Sequence, residues 1–334
     1  MRHRTGTPGL GQLREKEVPV ALHIPLQDKH SSIVLKATDI RLDAGDAGLA
    51  FDMFGRNLPA IPLVVPYPMR ANGLALSVGY QSAALSADVG LAPVGFLFND
   101  LVGGVRWNRD ISNTNLAIEA TRRSVTESLL SYAGAVDNVT GLAWGGVSKT
   151  GGQVSLYYPF VGPWAGYSSV GLYGYTGHNT AANESIQINT SLIYQLVRTD
   201  DFDASIAGRL SKLSFNNNQN YFYWGHGGYY SPQSDTSLSI PLRVSGKTQR
   251  FSYELNLSAS ISNVVESPAQ IYPTDSALQA GMGAAGMTLG ANSARKQSRH
   301  ADWVWEYAFA QQWAVGNRFH YDESPIYQQV GGMV

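Results

Sequence analysis

The sequence predicts an all-β protein, a transmembrane antiparallel β-barrel of about 16 strands. From residue 17 onward, apolar and polar residues alternate with a period of two, as along strands that have one apolar and one polar face. Charged residues are only 15% of the chain, against about 25% in typical soluble domains. Successive candidate strands have no helical segment between them, and short and long connections alternate, as in outer-membrane barrels.

Many of the candidate strands are longer than the ~5–6 residues typical of soluble sheets. Their lengths suit the ~9–11 residues with which a tilted strand crosses a bilayer. The predicted strands are 17–26, 31–42, 73–90, 100–109, 113–125, 141–158, 164–177, 185–198, 202–216, 234–247, 250–265, 281–291, 300–310, 312–322 and 325–334. The predicted long connections are 43–72, 126–140, 217–233 and 266–280.

The polar faces of these strands carry Ser, Gly, Asn, Gln and Thr rather than the Lys and Glu expected on the outside of a soluble sandwich. A soluble all-β protein is the main alternative, but this composition favours a wet lumen inside a lipid-facing wall. Ser237, Asn256 and Ser258 are predicted to face water. The residues predicted to face lipid are Ile188, Leu192, Tyr194, Leu238, Ile240, Leu242, Tyr253, Leu255 and Leu257.

Composition excludes several classes of function. The chain of 334 residues has a formal net charge of −1, which argues against a nucleic-acid partner, and it has no Cys for disulfides or thiol chemistry. No run approaches the ~20 apolar residues of a membrane helix. The N-terminal residues lack the apolar segment of a signal peptide, so we expect any export signal to lie upstream.

The stretch at 220–233, NYFYWGHGGYYSPQ, combines six aromatic rings with three glycines, one histidine and one proline. Glycine permits unusual backbone angles and proline removes a hydrogen-bond donor, so the stretch is interpreted as a shaped loop. Aromatic faces with polar edges suit the CH faces and hydroxyls of sugars, but Tyr and Trp also form girdles at membrane interfaces. Composition leaves sugar contact and an interface girdle equally open.

No catalytic constellation is found in the sequence. The histidines at 3, 23, 30, 178, 226, 300 and 320 form no close metal-ligand pair, and GMGAAG at 281–286 lacks the βαβ context of a nucleotide site. The adjacent carboxylates Asp200 and Asp201 lie at a tight turn, and turn chemistry explains them. We therefore predict no catalytic residue, no metal and no cofactor.

Arg122 and Arg123 lie at the end of a candidate strand. Adjacent residues on a strand point to opposite faces, so one arginine is expected to face the lumen and the other to meet headgroups or a loop. The alternative is that the pair orders a loop by binding carbonyl groups or Glu127.

Several segments resemble one family closely, the C-terminal outer-membrane porin domain of bacterial cellulose synthase protein C, which is a cellulose export channel. The matching segments run in the family's order and cover nearly the whole chain. They are TPGLGQL (7–13), GYQSAALSADVGLAPVGF (79–96), ATRRSVTESLLSYAG (120–134), WGGVSKTGGQVSLYY (144–158), YFYWGHGGYYSPQ (221–233) and YPTD (272–275).

The resemblance implies a roughly 16-stranded barrel in the bacterial outer membrane that carries a β-1,4-glucan to the cell surface and is not an enzyme. It implies as partners the cellulose chain, the lipid bilayer, an upstream tetratricopeptide-repeat scaffold and the inner-membrane cellulose synthase complex. That scaffold is absent from this sequence. Residues 1–16 are therefore interpreted as a linker from it, and residues 17–334 as the barrel.

Family members usually finish on a strand rich in aromatic residues, whereas this chain stops at SPIYQQVGGMV (324–334). We therefore expect the last strand to be either truncated or altered. An unclosed barrel would leave unpaired strand edges in lipid, so the ending is expected to limit assembly.

A neutral glucan should be held weakly at many places, by exchangeable hydrogen bonds and by ring stacking. The general diffusion porin is a rival function, and it requires a constriction with opposed charges. A barrel-embedded hydrolase is the other rival, with His226 as its candidate residue. The residues expected along the glucan path are Trp144, Tyr221, Tyr223, Trp224, His226, Tyr229, Tyr230, Arg122 and Arg123.

Overall fold

A computed structural model describes residues 1–28, 30–46, 53–56, 68–137, 139–282, 287–310, 313–324 and 327–333. The strands are β1 (Arg2–Arg4), β2 (Leu13–Pro25), β3 (Ser32–Asp46), β4 (Pro68–Gln81), β5 (Leu85–Val94), β6 (Leu101–Ile111), β7 (Thr114–Ser124), β8 (Ala135–Val136), β9 (Ala143–Pro159), β10 (Trp164–His178), β11 (Asn183–Arg198), β12 (Phe202–Phe215), β13 (Ser234–Lys247), β14 (Phe251–Glu266), β15 (Ala269–Gln270), β16 (Thr288–Leu289), β17 (Asn292–Ala310), β18 (Trp313–Ser324) and β19 (Tyr327–Met333). The helices are α1 (Leu129–Ala133) and α2 (Ser276–Gly281). Neither described helix has the length or the apolar content needed to cross a membrane.

Sixteen of these strands form one closed antiparallel ring, which confirms the predicted fold class. Each strand of the ring pairs with the next one along the chain, apart from the three short strands β8, β15 and β16, which lie in the connections. The ring closes where β1 pairs with β19 on one side and with β2 on the other. Because the ring is closed, its described strands leave no unpaired sheet edge, which is what a sheet that spans a lipid bilayer requires.

The barrel begins earlier than the predicted boundary at residue 17, because β1 and the first residues of β2 belong to the ring. The segment 1–16 shows no clear alternation, so its strand is defined by its partners rather than by its own pattern. At the other end, β19 has seven residues against twelve in β18, and it still pairs with both of its neighbours.

Two predicted strands need correction. The single strand at 73–90 is two strands, β4 and β5, joined by a hairpin at 82–84. The predicted strand at 281–291 is not part of the ring: α2 ends at Gly281, only Thr288 and Leu289 form the short β16, and residues 283–286 lie outside the described part. Small residues continued the alternating pattern across the hairpin between β4 and β5. At 281–291, small residues gave a pattern like that of a strand.

The apolar face of the strands points outward. Leu238 and Ile240 on β13 are 62% and 60% exposed, whereas Ser239 between them is polar and less exposed. Leu172 and Leu192 show the same outward exposure on β10 and β11. Large apolar side chains exposed in rows around a closed barrel have lipid as their natural environment, which is the architecture of a bacterial outer-membrane barrel.

The two rims of the barrel differ. The connections at 26–31, 82–84, 112–113, 160–163, 199–201 and 248–250 are short and lie at one rim, the turn rim. The long connections lie at the opposite rim, the loop rim, together with the connection between β1 and β2. Aromatic pairs near the turn rim, such as Trp164 with Tyr194 at 4.8 Å, supply rings to an interface girdle.

Candidate functional site

The described residues of four long connections pack against the inner wall of the barrel at the loop rim. We call their described residues the plug: 53–56, 125–137 with 139–142, 216–233 and 267–282. The plug and the wall share one apolar core, in which Leu13, Ile40 and Leu42 come from β2 and β3. The connections therefore form a packed layer rather than free surface loops.

The short helix α1 shows how the sequence builds this layer. Ser128 caps the helix by accepting from the backbone N–H of Ser131, and the Ser131 hydroxyl accepts from the Ser128 backbone in return. Gly134 ends the helix at a positive φ of 81°, where a Cβ would lie 2.6 Å from the Phe98 ring. The Ser128 hydroxyl also donates to the carbonyl of Gly228 at 2.7 Å, so the cap joins two of the plug segments.

The rings of Trp144 and Trp224 form the centre of the plug core. Their centroids lie 5.5 Å apart, and Phe54 contacts Trp144 at 4.9 Å. Trp144 is fully buried, and its indole N–H has no acceptor among the described residues.

One arginine joins four parts of the plug. The Arg56 guanidinium lies 3.8 Å above the Trp224 ring and contacts the Asp137 carboxylate at 3.3 Å and the Asp275 carboxylate at 3.5 Å. It also donates to the Thr140 hydroxyl at 2.8 Å. Asp137 is 1% exposed, so this ion pair is sheltered from water and from salt screening.

A second cluster of rings joins the plug to the lumen wall. Tyr229 is 2% exposed and stacks on Tyr175 of β10, with centroids 5.2 Å apart and planes at 12°. Beside it, the backbone N–H of Tyr230 donates to the Glu127 carboxylate at 2.8 Å, and the Tyr230 hydroxyl donates to Asp235 at 2.9 Å. Arg4 of β1 contacts the same Glu127 carboxylate at 3.6 Å.

His226 is fully buried, and its Nε2 donates to the Gln270 carbonyl at 2.9 Å. Burial lowers the pKa of His226 from 6.5 to about 4, so the imidazole is neutral at pH 7. The Tyr221 ring meets it edge-on at 5.3 Å. These neighbours make His226 a packing residue of the plug, without access to a substrate at the rim.

The aromatic stretch lies inside the plug, so the interpretation of it as an interface girdle is wrong. Trp224 and Tyr229 are buried, the Tyr221 hydroxyl donates to the Gly290 carbonyl at 3.3 Å, and the Tyr223 ring meets Tyr272 edge-on. Gly55 and Tyr223 form an isolated parallel bridge that pins the stretch to the segment at 53–56. Trp224 and Tyr229 of the stretch, and Trp144 of β9, are covered by other side chains. Contact of the predicted rings with sugar stays a prediction.

Arg122 and Arg123 point to opposite faces of β7, as expected. Arg123 shares the polar face with Glu119 and donates to Asp88 of β5 at 2.6 Å. Arg122 faces outward near the loop rim, where it donates to the Leu101 carbonyl and to the Thr150 hydroxyl at 3.0 Å each.

Three lumen-facing tyrosines were missed by the sequence analysis. Tyr157 and Tyr167 are cross-strand partners on β9 and β10, and Tyr173 lies six residues further along β10 on the same face. The Lys149 ammonium lies 3.7 Å above the Tyr173 ring. With about 3.3 Å per residue, these rings extend over about 20 Å of the strand, leading away from the plug. The signal was present in their position on the polar face of the alternation.

Several charged side chains on the lumen wall are paired with opposite charges within the wall. Arg106 contacts Glu119 at 3.0 Å, and Arg243 contacts Glu254 at 2.8 Å. In each of these two pairs the partner is on the neighbouring strand, whereas Arg123 of β7 reaches across β6 to Asp88 of β5. Because the opposite charges are adjacent, they neutralise each other instead of forming a field across the lumen.

A cavity of about 320 Å³ lies below the plug. Tyr230 contributes to its lining, so this ring of the aromatic stretch borders open space within the barrel. Polar and charged groups from β1, β13, β17 and β19 surround it, including Arg2, Arg4, Asp235, Lys296 and Gln329.

Three comparisons place this architecture among known proteins. The family model described as cellulose synthase operon protein C C-terminus matches residues 11–334. The chain is similar to cellulose synthase operon protein C of Pseudomonas fluorescens (strain SBW25), with 32% identity over 294 residues, 84% of this chain and 22% of that protein. The protein of the same name from Komagataeibacter xylinus is 30% identical over 297 residues, 84% of this chain and 23% of that protein. The chain thus spans less than a quarter of these relatives.

Among solved structures, the chain is similar to one described as a bacterial polysaccharide outer membrane secretin. The TM-score is 0.53, and the match covers 99% of this chain and 94% of that chain. Sequence identity is 10%, so the likeness shows a shared fold.

Proposed function

The chain belongs to the family of cellulose synthase operon protein C C-termini, and from this premise we propose that its barrel is the outer-membrane channel through which a β-1,4-glucan leaves the cell. The family supports a role in cellulose export, and the closed barrel supplies a lumen. The fold and the family both describe a barrel domain rather than a catalytic one.

The observation that carries the proposal is the composition of the lumen wall. It offers hydroxyl and amide groups, three tyrosine rings and arginines that are already paired with carboxylates. A neutral polymer with hydroxyl edges and apolar faces can exchange weak contacts along such a wall, since each contact contributes only about 1 kcal/mol. Many weak contacts in sequence allow the chain to slide.

The plug acts in this proposal as the gate of the channel. It occupies the loop rim, which is the extracellular rim in barrels with long loops on one side. The aromatic stretch then meets the glucan at the exit, where Tyr230 already borders the cavity below the plug. Arg56 holds the gate closed through its contacts with Asp137, Asp275 and Trp224.

The two rival functions fit the geometry less well. A diffusion porin uses opposed charges across its constriction, whereas Arg106 and Arg243 are paired with carboxylates on the same wall. A barrel-embedded hydrolase would need His226 at an accessible rim, but His226 is fully buried against a backbone carbonyl.

The family's name links the chain to the cellulose synthesis operon, and the proposal extends this link to physical partners. The glucan would come from an inner-membrane synthase, and a periplasmic repeat scaffold would precede the barrel in the complete protein. Both partners belong to the proposal, because the chain covers only the C-terminal part of its relatives.

Current blockade in a planar bilayer tests the proposal. The purified barrel with Arg56→Ala, which loosens the gate, should conduct ions, and cello-oligosaccharides added at the turn rim should interrupt the current. Malto-oligosaccharides are the control, because their α-1,4 linkage does not give the extended flat ribbon. Equal blockade by both sugars, or by neither, would contradict selective passage of a β-1,4-glucan.

A further inference from the structure

Two histidines that are twenty positions apart in the sequence come together on the lumen wall. β17 and β18 are paired so that His300 lies opposite Asp322 and Asp302 lies opposite His320. Residues two apart on a strand share a face, so all four side chains point to the same side of the sheet. The spacing of the histidines in the sequence gives no close metal-ligand pair, and it is strand pairing that brings these two together.

These groups converge on the Asp322 carboxylate. Nδ1 of His300 lies 2.7 Å from one carboxylate oxygen, and Nε2 of His320 contacts the other. The three candidate ligand atoms all lie within 4.8 Å of one another. A tetrahedral zinc ion with bonds of about 2.0–2.2 Å requires its ligand atoms to be about 3.3 Å apart, which small side-chain movements would provide.

A second carboxylate stands behind His320. Asp302 lies 3.6 Å from Nδ1 of His320, on the ring edge away from Asp322. Arg318 holds Asp302 in place with two contacts of 2.9 and 3.2 Å. A carboxylate that orients the far nitrogen of a ligating imidazole is the usual support of a histidine–metal bond.

We propose that His300, His320 and Asp322 form a binding site for a zinc-class divalent cation in the lumen wall. Two imidazole nitrogens and one carboxylate oxygen suit zinc and its neighbours among the transition metals, whereas calcium and magnesium prefer all-oxygen sites. The histidine side chains are 36% and 27% exposed, so an ion in the aqueous lumen can reach them. A bound ion joins β17 to β18, next to β19, where the ring closes.

Cobalt(II) is the probe for the test, because its visible absorption reports low coordination number and the chain has no Cys to contribute thiolate bands. The barrel is folded in detergent without a histidine tag and titrated with cobalt(II), and then the cobalt is displaced with zinc. The proposal predicts saturable uptake of one ion per barrel. On a denaturing gel, the folded barrel gives a band that disappears when the sample is heated enough to unfold it. The proposal predicts that zinc raises this unfolding temperature, since the ion binds the folded barrel.

The variants localise the site. His300→Ala and His320→Ala should each weaken cobalt binding at least tenfold, and Asp302→Asn should weaken it by about 10–100-fold through its support of His320. His30→Ala, at the turn rim, is the matched control and should bind as the wild type does. If His300→Ala fails to fold, His300→Gln is used instead, because the glutamine keeps a hydrogen-bond donor for Asp322.

Two outcomes would overturn the proposal. The first is that the wild-type barrel takes up no ion in a saturable way, which would leave a hydrogen-bonded cluster only. The second is that uptake is undiminished in the double variant His300→Ala/His320→Ala, which would place the ion elsewhere.

Discussion

In the proposed channel, single side chains on the lumen wall would bind the glucan weakly and still let it pass. Tyr157, Tyr167 and Tyr173 occupy polar-face positions of β9 and β10, while Val170 and Leu172 between them face lipid. The same strand therefore presents rings for stacking on one side and a lipid surface on the other.

Replacing Tyr167 with Ala in the complete protein should lower cellulose secretion modestly, because one stacking contact contributes about 1 kcal/mol, or about fivefold in a local rate. Tyr157→Ala/Tyr167→Ala should lower it further. Secreted cellulose is measured relative to folded barrel in the outer membrane. Tyr158→Ala, which removes the neighbouring outward-facing ring, is the control, and an equal loss of secretion there would contradict a role of the lumen rings.

The buried His226 predicts a pH dependence of the plug. Because burial lowers its pKa from 6.5 to about 4, the packed plug binds fewer protons than the released loop does. The stability that this difference provides is present above about pH 6.5 and is lost as the pH falls toward 4, with a total on the order of 1–3 kcal/mol.

Single-channel recordings between pH 7.5 and 4.5 check this prediction. The open fraction of the wild type should rise on acidification, whereas His226→Gln, which keeps a donor for the Gln270 carbonyl and does not titrate, should rise less. Identical pH profiles for the two proteins would show that His226 is not the titrating group.

At the scale of elements, the plug is the part of the molecule that the sequence analysis least anticipated. The long connections were predicted, and the rings of 221–230 were recognised as a shaped loop. Their burial could not be predicted, because it depends on contacts with residues that are 80 to 220 positions away, such as Asp137 and Asp275 with Arg56. The strands were predicted well where the alternation was strict, as on β13 and β14, and poorly where small residues blurred it.

Arg56→Ala should loosen the plug, because it leaves the buried Asp137 carboxylate without its cation and removes the contact with the Trp224 ring. Breaking a buried ion pair costs about 3–5 kcal/mol, which is enough to favour open states. Ion conductance through the purified barrel should rise. Arg41→Ala is the matched control, since its ion pair with Asp39 is exposed on the outer face, and it should leave conductance unchanged.

If Arg56→Ala barrels conduct no more than the wild type, the four plug segments do not depend on Arg56 for closure. Comparing the ion conductance of Trp224→Ala with that of the wild type then tests whether the aromatic core alone keeps the plug closed.

At the scale of the whole molecule, low charge, alternation and rims of unequal length were enough to predict a membrane barrel of about 16 strands. The strand β1 was not predictable, because three residues, Arg2–Arg4, carry no periodic signal and are held by β19, β2 and the plug residues Thr126 and Glu127. The metal-site hypothesis likewise depends on strand register, which the sequence alone leaves open.

Nitroxide labels test the assignment of the barrel's two faces. Labels at Leu238, Ile240 and Leu257 should be relaxed by oxygen, which partitions into lipid, because these side chains line the outer face. Labels at Ser237 and Ser258 should respond to a water-soluble nickel reagent. The reverse pattern would describe a soluble barrel with an apolar interior.

Photo-crosslinking in cells that are making cellulose tests the central claim, passage of the glucan through the lumen, most directly. A benzophenone amino acid replaces Tyr167 in the complete protein, and the same group replaces the outward-facing Tyr158 in a matched strain. Irradiation should attach cellulose, released by cellulase, to the barrel labelled at position 167 and not to the barrel labelled at position 158. Cellulose attached equally at both positions, or at neither in a strain that secretes normally, would contradict a path through the lumen.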